Sequence, residues 1–232
     1  MEIYVGTSGW MYSWNPKLNF DWYVEYSGLN SVELNASFYR FPFPNQVKGW
    51  CRKGKGLRWI VKVNRLITHT FKFNDKAFNL WEKFKALFEP LDRNIDFYLF
   101  QLPPSMKSNF MFRLEGFIRK INLDGRFALE VRNMDWFRDE CINWAEKLGI
   151  TWVSVDCPDL PCNIYCVNGI VYERMHGRSD WYSHDYSEDE LIEIAKEIIK
   201  LNPKKVYVIF NNDHAMLSKA RIMKRILEEM VY

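Results

Sequence analysis

The sequence predicts an α/β fold, a single-domain TIM-like (β/α)8 barrel over residues 1–232. Three observations carry that expectation. Short runs rich in β-branched and aromatic residues recur eight times. Longer segments with helical periodicity fill most of the gaps between them. The 232 residues suit eight such units, a little below the roughly 250 typical of this barrel. The rival architecture, a doubly wound open sheet, normally carries a glycine-rich phosphate turn after its first strand. Here Gly6-Thr7-Ser8-Gly9-Trp10 lacks the third glycine of that fingerprint.

In chain order the strand candidates are Glu2–Gly6, Ser31–Asn35, Arg58–Asn64, Asp96–Leu102, Arg126–Arg132, Thr151–Asp156, Ile170–His176 and Lys205–Asn211. The seventh follows Asn168-Gly169, a hairpin-turn signal that would pair it with Asn163–Val167. Helical patterns cover Lys76–Phe88, with Asn74-Asp75 as its cap, then Phe110–Lys120, Phe137–Leu148, Ser187–Leu201 and His214–Met230. Ser187 to Glu190 reads as a capping box ahead of the stripe Leu191, Ile194, Ala195, Ile198 and Ile199. Trp22–Gly28 and Pro44–Lys53 are weaker patterns for the first two helices.

Composition narrows the function classes. A net charge of +3 is too balanced to argue for nucleic acid from bulk charge. No stretch approaches the ~20 apolar residues that span a bilayer. The N-terminus shows no secretory pattern, so a cytoplasmic location is expected. Five cysteines, an odd number, fit a reduced chain. Cys157, Cys162 and Cys166 sit close together but lack zinc-ribbon spacing; incidental thiols are the plain reading, with a disulfide possible in a hyperthermophile. Aromatic residues reach 17%, enough to fill a core and also to line a pocket.

The strand ends carry the chemistry. Barrel sites gather at the C-terminal ends of the strands. Those ends offer Glu33 and Asn35, Lys62 and Asn64, Gln101, Glu130 and Arg132, Asp156, Arg174 and His176, then Asn211 and Asn212. Residues two apart share a face of a strand. Phe127, Leu129 and Val131 therefore oppose Glu130 and Arg132; Trp59, Val61 and Val63 oppose Lys62 and Asn64; Val32 and Leu34 oppose Glu33 and Asn35. The polar set is expected to meet in the barrel mouth, because buried charges are costly unless they pair. A satisfied structural network is the alternative.

Five stretches also resemble a known family. They are Gly6 to Trp14; Val32-Glu33-Leu34-Asn35-Ala36-Ser37-Phe38-Tyr39 with Pro42; Phe100-Gln101-Leu102-Pro103-Pro104; Ala128-Leu129-Glu130-Val131-Arg132 with Trp136-Phe137; and Arg174-Met175-His176-Gly177 with Phe210-Asn211-Asn212-Asp213. Their order and spacing resemble the domain-of-unknown-function 72, or YecE-like, family over essentially the whole chain. Ala36, Ser37 and Glu173 depart from its usual residues. The resemblance implies a TIM-like barrel and no particular reaction.

The residues themselves point to an enzyme of unassigned reaction, doing acid/base chemistry on a small anionic or phosphorylated substrate. Glu130 is the expected base and His176 the acid, with Glu33 as second carboxylate. Lys62, Arg132 and Arg174 are the charge stabilisers, and Gln101, Arg178, Asn211, Asn212, Tyr39 and Trp10 complete the expected binding set. Gly177, Arg178, Asn211 and Asn212 are expected to form an anion site beside His176. Glycoside hydrolysis by Glu33 and Glu130 is disfavoured, since three nearby cations would keep both carboxylates ionised. A divalent-metal hydrolase would draw on His69, Glu130, Asp156 and His176, but no metal-binding spacing is present and no metal or cofactor is assigned. A non-catalytic barrel that binds nucleotides or nucleic-acid ends is the competing class. Oligomeric state is not specified by the sequence.

Overall fold

A computed structural model describes residues 1–231. Eight parallel strands close in sequence order into one barrel. They are β1 (Glu2–Thr7), β2 (Ser31–Leu34), β3 (Arg58–Lys62), β4 (Ile95–Gln101), β5 (Phe127–Glu130), β6 (Thr151–Asp156), β7 (Ile170–Met175) and β8 (Lys205–Phe210). Seven helices surround them among the described residues: α1 (Phe20–Tyr26), α2 (Pro44–Lys53), α3 (Asp75–Leu87), α4 (Met111–Ile121), α5 (Asp139–Lys147), α6 (Glu188–Lys200) and α7 (Met216–Val231). The fold is the expected TIM-like barrel.

Local chemistry sets the element ends. Asn74 caps α3 by accepting from the Ala77 N–H, and Ser187 and Glu190 close a reciprocal capping box on α6. α1 begins two residues before the expected start because the Asn19 side chain caps it at the Trp22 N–H. Asn163–Val167 is not a strand. Its only ladder contact is the antiparallel bridge between Val167 and Ile170, closed by Asn168 and Gly169 at φ of 54° and 77°. A helix is therefore missing between β6 and β7, and a loop crosses there.

The pairing of β1 with β2 needs a glycine. A Cβ on Gly6 would lie 2.3 Å from the Ser31 carbonyl oxygen, so only glycine lets β1 approach β2 this closely. Outward residues such as Trp59, Phe100 and Phe127 pack beneath the helices, with Phe100 and Phe127 stacked at 4.0 Å. The interior forms tiers. The N-terminal tier joins Arg58 to Asp96, with Tyr207 donating to Asp96 and Tyr4 stacked on Tyr207. Ile60, Leu99, Ala128, Val153, Val155 and Ile209 fill the apolar middle. Above it the period of two delivers Glu33, Lys62, Glu130 and Arg174 to the C-terminal end.

Among the described residues, no helix is long and apolar enough to cross a membrane. All five cysteines are free thiols.

Candidate functional site

Arg174 is the hub of the upper tier. It is fully buried and uses every nitrogen of its fork. Nε donates to Glu33 Oε2 at 2.8 Å, Nη2 to Glu33 Oε1 at 2.5 Å, and Nη1 to Glu130 Oε2. Glu33 also accepts from Ser8 Oγ at 2.7 Å and from the Tyr172 hydroxyl at 2.8 Å. Arg132 closes the network with its Nε and Nη2 on Glu130 Oε1. All four carboxylate oxygens are thus occupied. Burial opposes ionisation of Glu130, but Arg132, Arg174 and Lys62 outweigh it and bring the carboxyl down to about 2. Burial likewise disfavours the Arg174 charge, and Glu130 and Glu33 more than restore it.

His176 sits between the two guanidinium groups. Its Nε2 lies 3.0 Å from Arg132 Nη2 and 3.1 Å from Arg174 Nη1. Guanidinium nitrogens only donate, so Nε2 carries the lone pair and the proton rests on Nδ1. The Asn211 amide nitrogen stands 3.1 Å from Nδ1, so the side-chain amide must turn over for its oxygen to accept that proton. Burial, Arg132, Arg174 and Lys62 all hold the imidazole well below its usual proton affinity. A neutral histidine that accepts from two arginines is a poor general acid. Glu130, held near 2 with both oxygens engaged, is an equally poor base. The expected acid/base division between these two residues does not match their surroundings.

Two cationic donors of this upper tier have no hydrogen-bond partner among the described residues. Arg132 Nη1 has no hydrogen-bond partner, while the face of the same guanidinium lies 4.8 Å from the Trp181 ring. Lys62 Nζ has neither hydrogen bond nor ion pair and sits 4.5 Å above the Phe38 ring, with the residue 6% exposed. Burial and Arg174 lower the Lys62 pKa to about 7, against the pull of Glu130 and Glu33. His69 stands edge-on to the same Phe38 ring, and burial followed by Lys62 lowers its pKa.

A cavity of about 520 Å³ opens above Arg132, walled by Gln101, Asn133, Asp159, Trp181 and Tyr182. A second, of about 270 Å³ and mostly apolar, lies beside β1 and β2 against Tyr12, Trp10 and Tyr39. Tyr39 is an exposed rim residue, whereas Trp10 is buried among Phe20, Trp50 and Trp59.

The anion site expected beside His176 is not formed by its loop. Arg178 Nε pairs with Asp156 Oδ2 at 2.9 Å. Asn212 donates to the His184 carbonyl, and the Gly177 N–H donates to the Tyr186 hydroxyl. These donors are spent on the loop itself. Asp156 belongs to this outer set too: Val153 and Val155 face the barrel interior, so Asp156 turns outward to Tyr186 and Arg178. No group of three His, Cys, Asp or Glu side chains suited to a metal forms among the described residues, so His69, Glu130, Asp156 and His176 do not assemble.

Sequence reasoning missed Ser8, Tyr172, Trp181 and Tyr182. Tyr172 was within reach, since it shares a face with Arg174. Trp181 and Tyr182 lie in an irregular loop that carries no periodic signal. Tyr182 takes a φ of 66°, uncommon for an aromatic residue, and its N–H donates to the His176 carbonyl at 2.7 Å.

The closed parallel barrel with a polar, partly open C-terminal mouth places the molecule among TIM-barrel proteins. More narrowly, the chain belongs to the family described as protein of unknown function DUF72, whose model matches residues 4–231. A DUF72 protein of Enterococcus faecalis superposes with a TM-score of 0.81 at 19% identity, over 97% of this chain and 95% of that one. A DUF72 protein of Thermotoga maritima gives 0.77 at 26% identity, over 100% and 99%. A D-psicose 3-epimerase of Clostridium cellulolyticum, solved with D-tagatose, gives 0.59 at 11% identity over 99% and 96%, a likeness of fold. No curated protein matches the chain.

Proposed function

We propose that the barrel mouth binds a small anionic substrate, phosphorylated or carboxylated, and carries out acid/base chemistry on it. The observation that carries this reading is the pair of open cationic donors, Arg132 Nη1 and Lys62 Nζ, above carboxylates whose oxygens are all taken. Three cations face two carboxylates in this tier, so it holds an uncompensated positive charge whenever Lys62 is protonated. An anion would neutralise it, and a low-dielectric wall strengthens the attraction.

In this reading Glu33 and Glu130 hold the arginines in place rather than moving protons. His176 fixes the orientation of both guanidinium groups. Lys62, whose affinity lies near neutral pH, is the group of this tier that can change its protonation there. Gln101, Trp181 and Tyr182 would shape the pocket around the substrate. Calorimetric titration with inorganic phosphate and with pyruvate tests the reading. The wild-type protein should bind at least one of them, and Arg132→Gln should weaken that binding about tenfold or more. An unchanged affinity in a folded Arg132→Gln protein, or no binding to wild type, would overturn it.

A further inference from the structure

Lys62 is unusual for what it leaves undone. It ends β3 with its ammonium within the influence of Glu33 and Glu130, yet it pairs with neither. The reason is geometric. Ser8, Tyr172 and Arg174 occupy both oxygens of Glu33, and Arg132 and Arg174 occupy both oxygens of Glu130. Phe38 closes one side of the amine with an apolar ring. Arg174, Arg132 and His69 are the other titratable groups around it. A structural lysine in this position would be drawn to a carboxylate; here the arginines have pre-empted both.

We propose that Lys62 is an imine-forming lysine whose Nζ condenses with the carbonyl carbon of a small anionic aldehyde or 2-oxo acid. The inference rests on reading the mouth as a small-anion site, because Arg132 Nη1 is the group that would hold the substrate's carboxylate or phosphate. Desolvation and a neighbouring cation are the recognised ways to make a lysine nucleophilic. A pKa near 7 leaves about 10³-fold more neutral amine at neutral pH than an ordinary surface lysine has.

The step balances without any further reagent. The Nζ lone pair forms a bond to the carbonyl carbon, and the C=O π pair moves to oxygen, which takes a proton from the new ammonium. The carbinolamine hydroxyl then takes a proton from solvent and leaves as water, while the nitrogen lone pair forms the C=N bond of the protonated imine. Nitrogen and carbon keep their remaining substituents. The protonated imine withdraws electrons from the adjacent carbon, which eases removal of a proton or a carboxylate there.

Reductive trapping tests the proposal. Wild-type protein is incubated with pyruvate and cyanoborohydride, which delivers hydride to an imine carbon, and peptides are mapped by mass spectrometry. Near pH 7 the adduct should form on Lys62 about 100-fold faster than on any surface lysine. The rate should fall as pH is lowered to about 5, where the amine is protonated. Lys62→Arg should lose this adduct; should that variant fail to fold, the pH profile of wild-type labelling carries the decision. Label confined to surface lysines would overturn the proposal, as would a Lys62 rate that keeps climbing to pH 10. Calorimetric binding of pyruvate without label at Lys62 overturns the imine and leaves the anion site standing. Labelling of Lys62 by acetone as fast as by pyruvate keeps the imine and overturns the anion site.

Discussion

The two ends of this barrel solve the same problem differently. At the N-terminal end Arg58 meets Asp96, both in part solvent-accessible, and Tyr207 adds a hydrogen bond. Charge balances there, and each cation has its carboxylate. At the C-terminal end Arg174, Glu33 and Glu130 are wholly buried, Arg132 nearly so, and Lys62 is added without a partner. The lower pair behaves as a stability feature. The upper tier carries one more cation than it has carboxylates, and the proposed function reads that excess as room for an anion.

That contrast breaks most easily at the arginines. Arg174→Met should cost about 3–5 kcal/mol, because two buried carboxylates lose their counter-charge. Arg58→Met at the other end should cost about 1 kcal/mol, since its pair is partly solvated. Denaturant melts of the two variants compare them directly, and equal losses would erase the distinction between the ends.

Lys62→Met sharpens the contrast by changing sign. Replacing a buried, unpaired ammonium with an apolar chain of similar shape should stabilise the protein by roughly 1–4 kcal/mol. The pH dependence follows from a folded pKa near 7 against 10.5 for an ordinary lysine. Between those values the unfolded chain binds more protons, so wild-type stability rises with pH across that window. The gain from Lys62→Met should therefore be largest near pH 6 and shrink towards pH 10. Melting temperatures at the two extremes measure it, and a gain independent of pH would mean that the amine is not desolvated. Tyr172→Phe removes one donor from Glu33 and should cost about 1.5–3 kcal/mol, less than the loss of Arg174. A neutral result in thermal melts would show that Arg174 and Ser8 satisfy Glu33 without it.

Much of this was legible in the sequence because strands alternate with a period of two. Glu33, Lys62, Glu130 and Arg174 each sit two residues from an inward neighbour on the same run, and Arg132 and His176 extend that alternation past the strand ends. The same logic fails on β6, which is apolar on both faces: Trp152 packs outward and Val153 inward, so the direction of Asp156 cannot be read from pattern. Arg178 and Asn212 were beyond reach for another reason. Their partners lie on Asp156 and on the loop around His184, whose path follows no periodicity. Nor could pattern say which cation takes which carboxylate oxygen. That allocation depends on ångström-scale geometry, and it is what leaves Lys62 alone.

The central claim is that the mouth holds an anion between Arg132 and Lys62. Diffraction from crystals soaked in selenate, an anomalously scattering tetrahedral anion, addresses it most directly. An anomalous peak within hydrogen-bonding reach of Arg132 Nη1 and Lys62 Nζ is the predicted result. A mouth without selenate, while the anion binds only to lysines and arginines on the outer surface, would contradict it.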